Sequence, residues 1–179
     1  MNLSEKTLTR EYKFKGKVVN LRVDTAELPN GKSAGREVVE HNGGVGIVAL
    51  NENKEVILVR QFRYPFMEEL LEIPAGKKEV GEAPESCAAR ELKEETGAMA
   101  DKLICLGEMY SSPGFCNEII WLYLAINPDM GEKCPDEDEF LDTVIMPLDK
   151  AIEMIMKNEI KDAKTAMGIL KTVEYLKNI

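Results

Sequence analysis

Residues 76–98 read GKKEVGEAPESCAARELKEETGA, and this stretch decides the fold. Pro84 suits the first turn of a helix, because its φ is fixed near the helical value and its missing N–H would be unbonded there. Gly97 suits the end, since glycine takes a left-handed cap without steric cost. The spacing predicts a helix over Pro84–Gly97. Each helical residue advances about 100°, so Glu91, Glu94 and Glu95 fall within an arc of roughly 100°. Ala89, Leu92 and Thr96 lie toward the other side and are expected to form the packing stripe. Like charges at this spacing repel and weaken a helix. A solvated acidic face balanced by Arg90 and Lys93 would tolerate that repulsion, but it gives no reason for Gly76 and Glu82 upstream. Hard divalent cations do, because Mg²⁺ takes carboxylate and carbonyl oxygens and bridges phosphate oxygens.

Working outward, the chain alternates short apolar runs with turn marks. Upstream, Val45–Leu50 and Glu55–Gln61 read as strands around a polar turn at residues 51–54, and Leu70–Ile73 is a short run ending at Pro74. Downstream, strands are expected near Leu103–Ser111, Ile119–Ile126 and Thr143–Met146. Residues 128–139 form an acidic, turn-rich loop. Two helical patterns close the chain, over Leu148–Lys157 and Lys161–Lys177. Within the first 40 residues, Val18–Val23 and Arg36–His41 read as strands of a hairpin turned at Pro29-Asn30-Gly31. Small sheets of this kind are marginal alone. The expected organisation is a β appendage over residues 1–40, docking on a second subunit, and a layered α/β (α+β) domain over residues 41–179.

Composition narrows the partners. The 179 residues carry 23 basic and 32 acidic side chains, for a formal net charge of −9. Such a balance argues against nucleic acid or an anionic membrane as the main partner. Four cysteines without a CxxC pair, and a single histidine at position 41, suggest neither a zinc site nor a disulfide framework. The polar N-terminus lacks the apolar core of a signal peptide, so a cytoplasmic protein with reduced thiols is expected.

The quoted stretch resembles a Nudix box. Gly76, five residues, Glu82, seven residues and then Arg90-Glu91-Leu92-Lys93-Glu94-Glu95-Thr96-Gly97 reproduce the family's fixed residue types at its spacing. One position departs: Ala98 stands where a bulky aliphatic is usual, which bears on local packing. The resemblance implies the Nudix fold, an α/β/α sandwich around a mixed sheet. It implies hydrolysis of a nucleoside diphosphate linked to another moiety, with two or three Mg²⁺ (or Mn²⁺) ions per site. Glu91, Glu94 and Glu95 would be the metal-binding carboxylates, Glu94 and Glu95 being central to catalysis, with the Ala75 carbonyl as a further ligand. Gly76, Glu82, Arg90 and Gly97 would be architectural, the Glu82–Arg90 pairing shaping the loop.

Marks outside the box resemble the ADP-ribose pyrophosphatase group. Pro113 follows Gly97 by sixteen residues, within Tyr110-Ser111-Ser112-Pro113-Gly114-Phe115. Residues 59–65, 71–76 and 159–165 are also similar to that group. The resemblance implies cleavage of ADP-ribose to AMP and ribose 5-phosphate by a homodimer. Arg63 is a substrate candidate, because a guanidinium offers paired donors to phosphate and can stack on a base. Pro113 is another, Arg36, Arg22 and Glu118 are weaker ones, and Glu72 could orient a metal ligand, touch a metal or the substrate, or simply end a strand. In the acidic loop, Glu137 is the candidate general base and Glu139 a further metal ligand. Tyr12, Phe14 and Phe115 all remain open as the partner of the adenine. Other nucleoside diphosphate derivatives, or a nucleotide sensor without catalysis, are the alternatives.

Overall fold

The computed structural model describes residues 2–134 and 140–178. The chain divides into two compact units.

The larger unit takes Gly44–Met109 and the chain from Ile120 onward. Its sheet is built from β4 (Gly44–Leu50), β5 (Glu55–Arg63), β6 (Glu68–Glu72), β7 (Ala75–Lys77), β9 (Leu103–Tyr110), β10 (Ile119–Ile126) and β12 (Leu141–Pro147). The order is β12-β5-β4-β10-β9, with β6 also on β5 and β7 also on β4. β4 and β10 run parallel, from Gly44↔Ile120 to Leu50↔Ile126, while β5 and β12 pair antiparallel. The sheet is therefore mixed, as expected.

Side chains of a strand alternate between faces, and here the alternation sorts the core into two clusters. Val45, Ile47 and Ala49 of β4 join Ile57, Tyr123 and Ala125 against Cys87, Ala88 and Leu92 of the helix α1 (Pro84–Thr96). Val48 and Leu50 join Val56, Leu58, Leu122 and Leu124 against Ala151 of α2 (Leu148–Met156) and Ile169 of α3 (Ala163–Leu176). β4 is buried at every position, which explains its unbroken apolar run. Each fully buried branched side chain contributes roughly 1.5–3 kcal/mol, so the two layers of helices are held by the sheet between them. No helix among the described residues is long and apolar enough to cross a membrane.

In this unit three elements go beyond the sequence reading: β7, β8 (Ala98–Met99) and β11 (Asp129–Met130). Each is two or three residues long, too short for a period to register. β8 and β11 pair antiparallel, placing part of the turn-rich loop beside the end of α1.

The smaller unit takes the chain through Gly43 together with Tyr110–Ile119. β1 (Lys6–Lys15), β2 (Asn20–Glu27) and β3 (Ser33–Glu40) form an antiparallel meander. Gly31 sits at φ 79° in the β2–β3 turn, where its N–H donates to the Leu28 carbonyl at 2.8 Å. β1 has no counterpart among the strands expected from the sequence, and all of it is exposed. Residues 110–119 belong to this unit through Val39, whose N–H donates to the Phe115 carbonyl at 2.7 Å and whose carbonyl accepts from Asn117 at 3.1 Å.

Candidate active site

The site is built on one strand–loop–helix segment. Pro84 begins α1, and Gly97 ends it at φ 75°, its N–H bonded to the Lys93 carbonyl at 2.8 Å. A side chain at Gly97 would also overlap the Gly131 carbonyl. Two separate constraints thus select glycine there.

The helix buries Leu92 and Thr96 of the expected stripe but not Ala89, and its buried face extends over two of the acids. Cys87, Ala88, Glu91, Leu92, Glu95 and Thr96 are buried, whereas Ala89 is exposed. The reason lies in the arc: Cys87 lies on one side of Glu91 and Glu95 and Leu92 on the other, so burying the apolar pair carries the carboxylates inward with it. Glu95 is 2% exposed and accepts a hydrogen bond from the Ala75 N–H at 2.9 Å. Glu91 is 6% exposed, and its carboxyl lies so close to Gly76 that any Cβ there would overlap it. Glu94 is half-buried.

Arg90 gathers the acids around it. Its guanidinium donates to Glu82 at 3.1 and 3.2 Å and to Glu94 at 2.9 Å, and it lies 2.8 Å from Glu91. Glu82 also accepts from the Glu79 N–H at 2.9 Å, which closes the loop between β7 and α1. The Arg90 bond, aided by that amide, holds the Glu82 carboxyl down at about 2, against an ordinary value of 4.5. Burial pushes the neighbouring Cys87 thiol up to about 12, so it stays protonated near neutrality.

The β5–β6 hairpin brings a second charged group to the same unit. Arg63 donates from Nε and Nη2 to the two oxygens of Glu72, each at 2.7 Å. Glu72 is 1% exposed and is also paired with Lys164 of α3. Burial pushes the Glu72 carboxyl up, but Arg63 and Lys164 outweigh it and leave the group below its usual range. Lys164 carries no signal of a site residue in the sequence, although it lies in the 159–165 stretch; only the fold brings it to Glu72, 92 residues away.

The remaining candidates fall elsewhere. Arg36 forks to Glu5, Arg22 pairs with Glu40 at 2.6 Å, and Glu118 lies 3.1 Å from His41, all in the smaller unit. Pro113 is exposed in a turn of that unit. Glu137 and Glu139 lie outside the described residues.

The donors fit a hard divalent cation in kind: carboxylates on one helix face, with main chain left bare beside them by Gly76. Among the described residues no three acidic, histidine or cysteine side chains stand converged as a ready-made metal cluster. Arg90 holds the cationic position beside Glu91 and Glu94 instead.

A mixed sheet between helical layers thus carries the helix α1 with its buried acids beside Gly76. Residues 40–167 match the NUDIX domain, and the chain belongs to the Nudix family. Nudix hydrolases generally need a divalent metal such as Mg²⁺. Residues 5–39 match the nucleoside diphosphate sugar hydrolase N-terminal domain. The chain is 45% identical to an ADP-ribose pyrophosphatase of Bacillus subtilis, covering 94% of this chain and 92% of that protein. It is 42% identical to a methanol dehydrogenase activator of Bacillus methanolicus, over 97% and 96% of the two chains. A GDP-mannose pyrophosphatase of Yersinia pestis is 37% identical, over 74% of this chain and 71% of its own. A crystal structure of an ADP compounds hydrolase shares the fold at TM-score 0.87 and 23% identity, covering 99% of this chain and 97% of that one.

Proposed function

We propose that this protein hydrolyses the diphosphate of ADP-ribose to AMP and ribose 5-phosphate, with water as the second reactant. The observation that carries the reading is the buried pair Glu91 and Glu95 beside Gly76 on the Nudix helix. Relatives named ADP-ribose pyrophosphatase, at 45% and 34% identity, support the substrate.

Glu91, Glu94, Glu95 and the Ala75 carbonyl would hold two or three Mg²⁺ ions, with Glu139 as a further ligand. Bound there, such ions neutralise diphosphate charge and lower the pKa of a bound water. The Ala75 N–H orients the Glu95 carboxyl by its 2.9 Å bond. Arg90 balances the repulsion among Glu82, Glu91 and Glu94. Arg63 presents a half-buried guanidinium, fixed along one edge by Glu72, to the diphosphate. Glu137 would take the proton of the attacking water. Glu118, Arg36 and Pro113 would be further substrate contacts.

We place the protein in the cytoplasm as a homodimer that docks through the appendage. Leu8, Tyr12 and Phe14 of the wholly exposed β1 support that surface. Sedimentation of the full chain at micromolar concentration tests it; a monomer throughout excludes it.

The activity is tested by AMP release from ADP-ribose with and without Mg²⁺, for the wild type and Glu95→Gln. No Mg²⁺-dependent release, or an unchanged rate in Glu95→Gln, overturns the reading. The GDP-mannose pyrophosphatase relatives favour a nucleotide sugar as the second reading. A parallel substrate screen ranked by kcat/KM separates the two.

A further inference from the structure

The N-terminus of α3 carries charged groups to which the proposed chemistry gives no task. Lys164 is 9% exposed, paired with Glu72 on one side and 3.1 Å from Asp162 on the other. Asp162 is itself fixed: it accepts from the Thr165 N–H at 2.9 Å and the Thr165 hydroxyl at 2.5 Å. That hydroxyl in turn accepts from the Ile73 N–H at 2.9 Å, in the residue that follows Glu72. Charges therefore alternate along one row: Asp162, Lys164, Glu72 and Arg63.

The Arg63 end of this row is the more exposed. Arg63 has a 37% exposed side chain, whereas Glu72 has only 2%. Glu72 takes Nε and Nη2 of Arg63, and among the described residues Nη1 has no hydrogen-bond partner. A buried carboxylate facing one guanidinium would cancel most of its charge. With Lys164 sharing Glu72, the carboxylate is divided between two cations, and Arg63 keeps field and a free donor for an anion.

We propose that Lys164 is a positioning residue for substrate binding, acting through Glu72 to keep Arg63 both oriented and electrostatically available to the diphosphate. The proposal rests on the reading of Arg63 as a diphosphate ligand. Lys164 is buried and committed to Glu72 and Asp162, so its effect is expected to travel by way of Arg63.

A double-mutant cycle tests it, with KM and kcat for ADP-ribose at saturating Mg²⁺ and thermal unfolding of every variant. Lys164→Met is expected to raise KM about fivefold, the size of coupling typical of residues in one ion-pair network, with kcat within about twofold. Lys164→Arg, which keeps a cation, recovers most of that loss. In an Arg63→Ala background, Lys164→Met is expected to change KM by less than about twofold. A full fivefold effect repeated on top of Arg63→Ala overturns the proposal alone, because Lys164 then acts elsewhere. An unchanged KM in Lys164→Met does the same. If Arg63→Ala leaves KM unchanged, the reading of Arg63 fails and the proposal goes with it. Should Lys164→Met not fold, Lys164→Gln replaces it, and loss of folding in both overturns the proposal in favour of a structural role.

Discussion

Glu95 accepts the amide proton of Ala75 at 2.9 Å, so the buried end of α1 is tied to the strand that opens the motif. A glutamine can accept the same bond while losing the charge. Glu95→Gln is therefore expected to unfold within a few degrees of the wild type. Its Mg²⁺-dependent activity should fall at least about a hundredfold, since even residues that merely orient metal ligands cost up to that much. Thermal unfolding and AMP release measured on one preparation check both halves.

Gly76 makes room for Glu91. Gly76→Ala must push the Glu91 carboxyl away, because the added methyl would occupy its place. Destabilisation of about 1–3 kcal/mol is expected, the usual cost of overpacking, together with a shift of the Mg²⁺ activation curve to higher concentration. Urea denaturation and a Mg²⁺ titration read these out; an unshifted titration would mean that Glu91 has no part in metal binding.

Gly97 is constrained twice, by its φ of 75° and by the Gly131 carbonyl. Gly97→Ala should destabilise by about 1–3 kcal/mol. Asparagine tolerates left-handed backbone but still has a Cβ, so Gly97→Asn is expected to rescue little. Full rescue by asparagine in a denaturant series would show that the backbone angle alone selects glycine.

Glu82 makes an acid-sensitive contribution to stability. Its carboxyl sits at about 2 in the folded chain, held there by Arg90, against 4.5 ordinarily. A depressed folded-state value stabilises at pH above the unfolded value and is lost as pH falls from 4.5 toward 2. Glu82→Gln should therefore be less stable than the wild type at neutral pH, and the difference should close across that window. Urea midpoints for both proteins from pH 7 downward test the sign; a gap that widens on acidification contradicts it.

Local signals reach the architecture because they act over a few residues. Pro84 and Gly97 mark the two ends of α1, and the buried run Val45–Leu50 marks the sheet's centre. The family pattern over residues 76–97 is legible for the same reason, since a helix sets its own angular spacing. The buried face of α1 departs from expectation because charge suggests exposure, and here it does not bring it. Cys87 and Leu92 lie on either side of Glu91 and Glu95, and packing them against β4 and β10 leaves the acids inside.

The run of elements, the mixed α/β class and the motif with its carboxylates are properties of neighbouring residues, and the chain as written already contains them. What those acids touch is set by the packed fold alone. Arg90 bridging Glu82, Glu91 and Glu94 requires the loop to fold back on the helix. Lys164 reaching Glu72 across 92 residues requires α3 to pack on the sheet. Pairings of that range depend on the burial of whole faces, which no local pattern records.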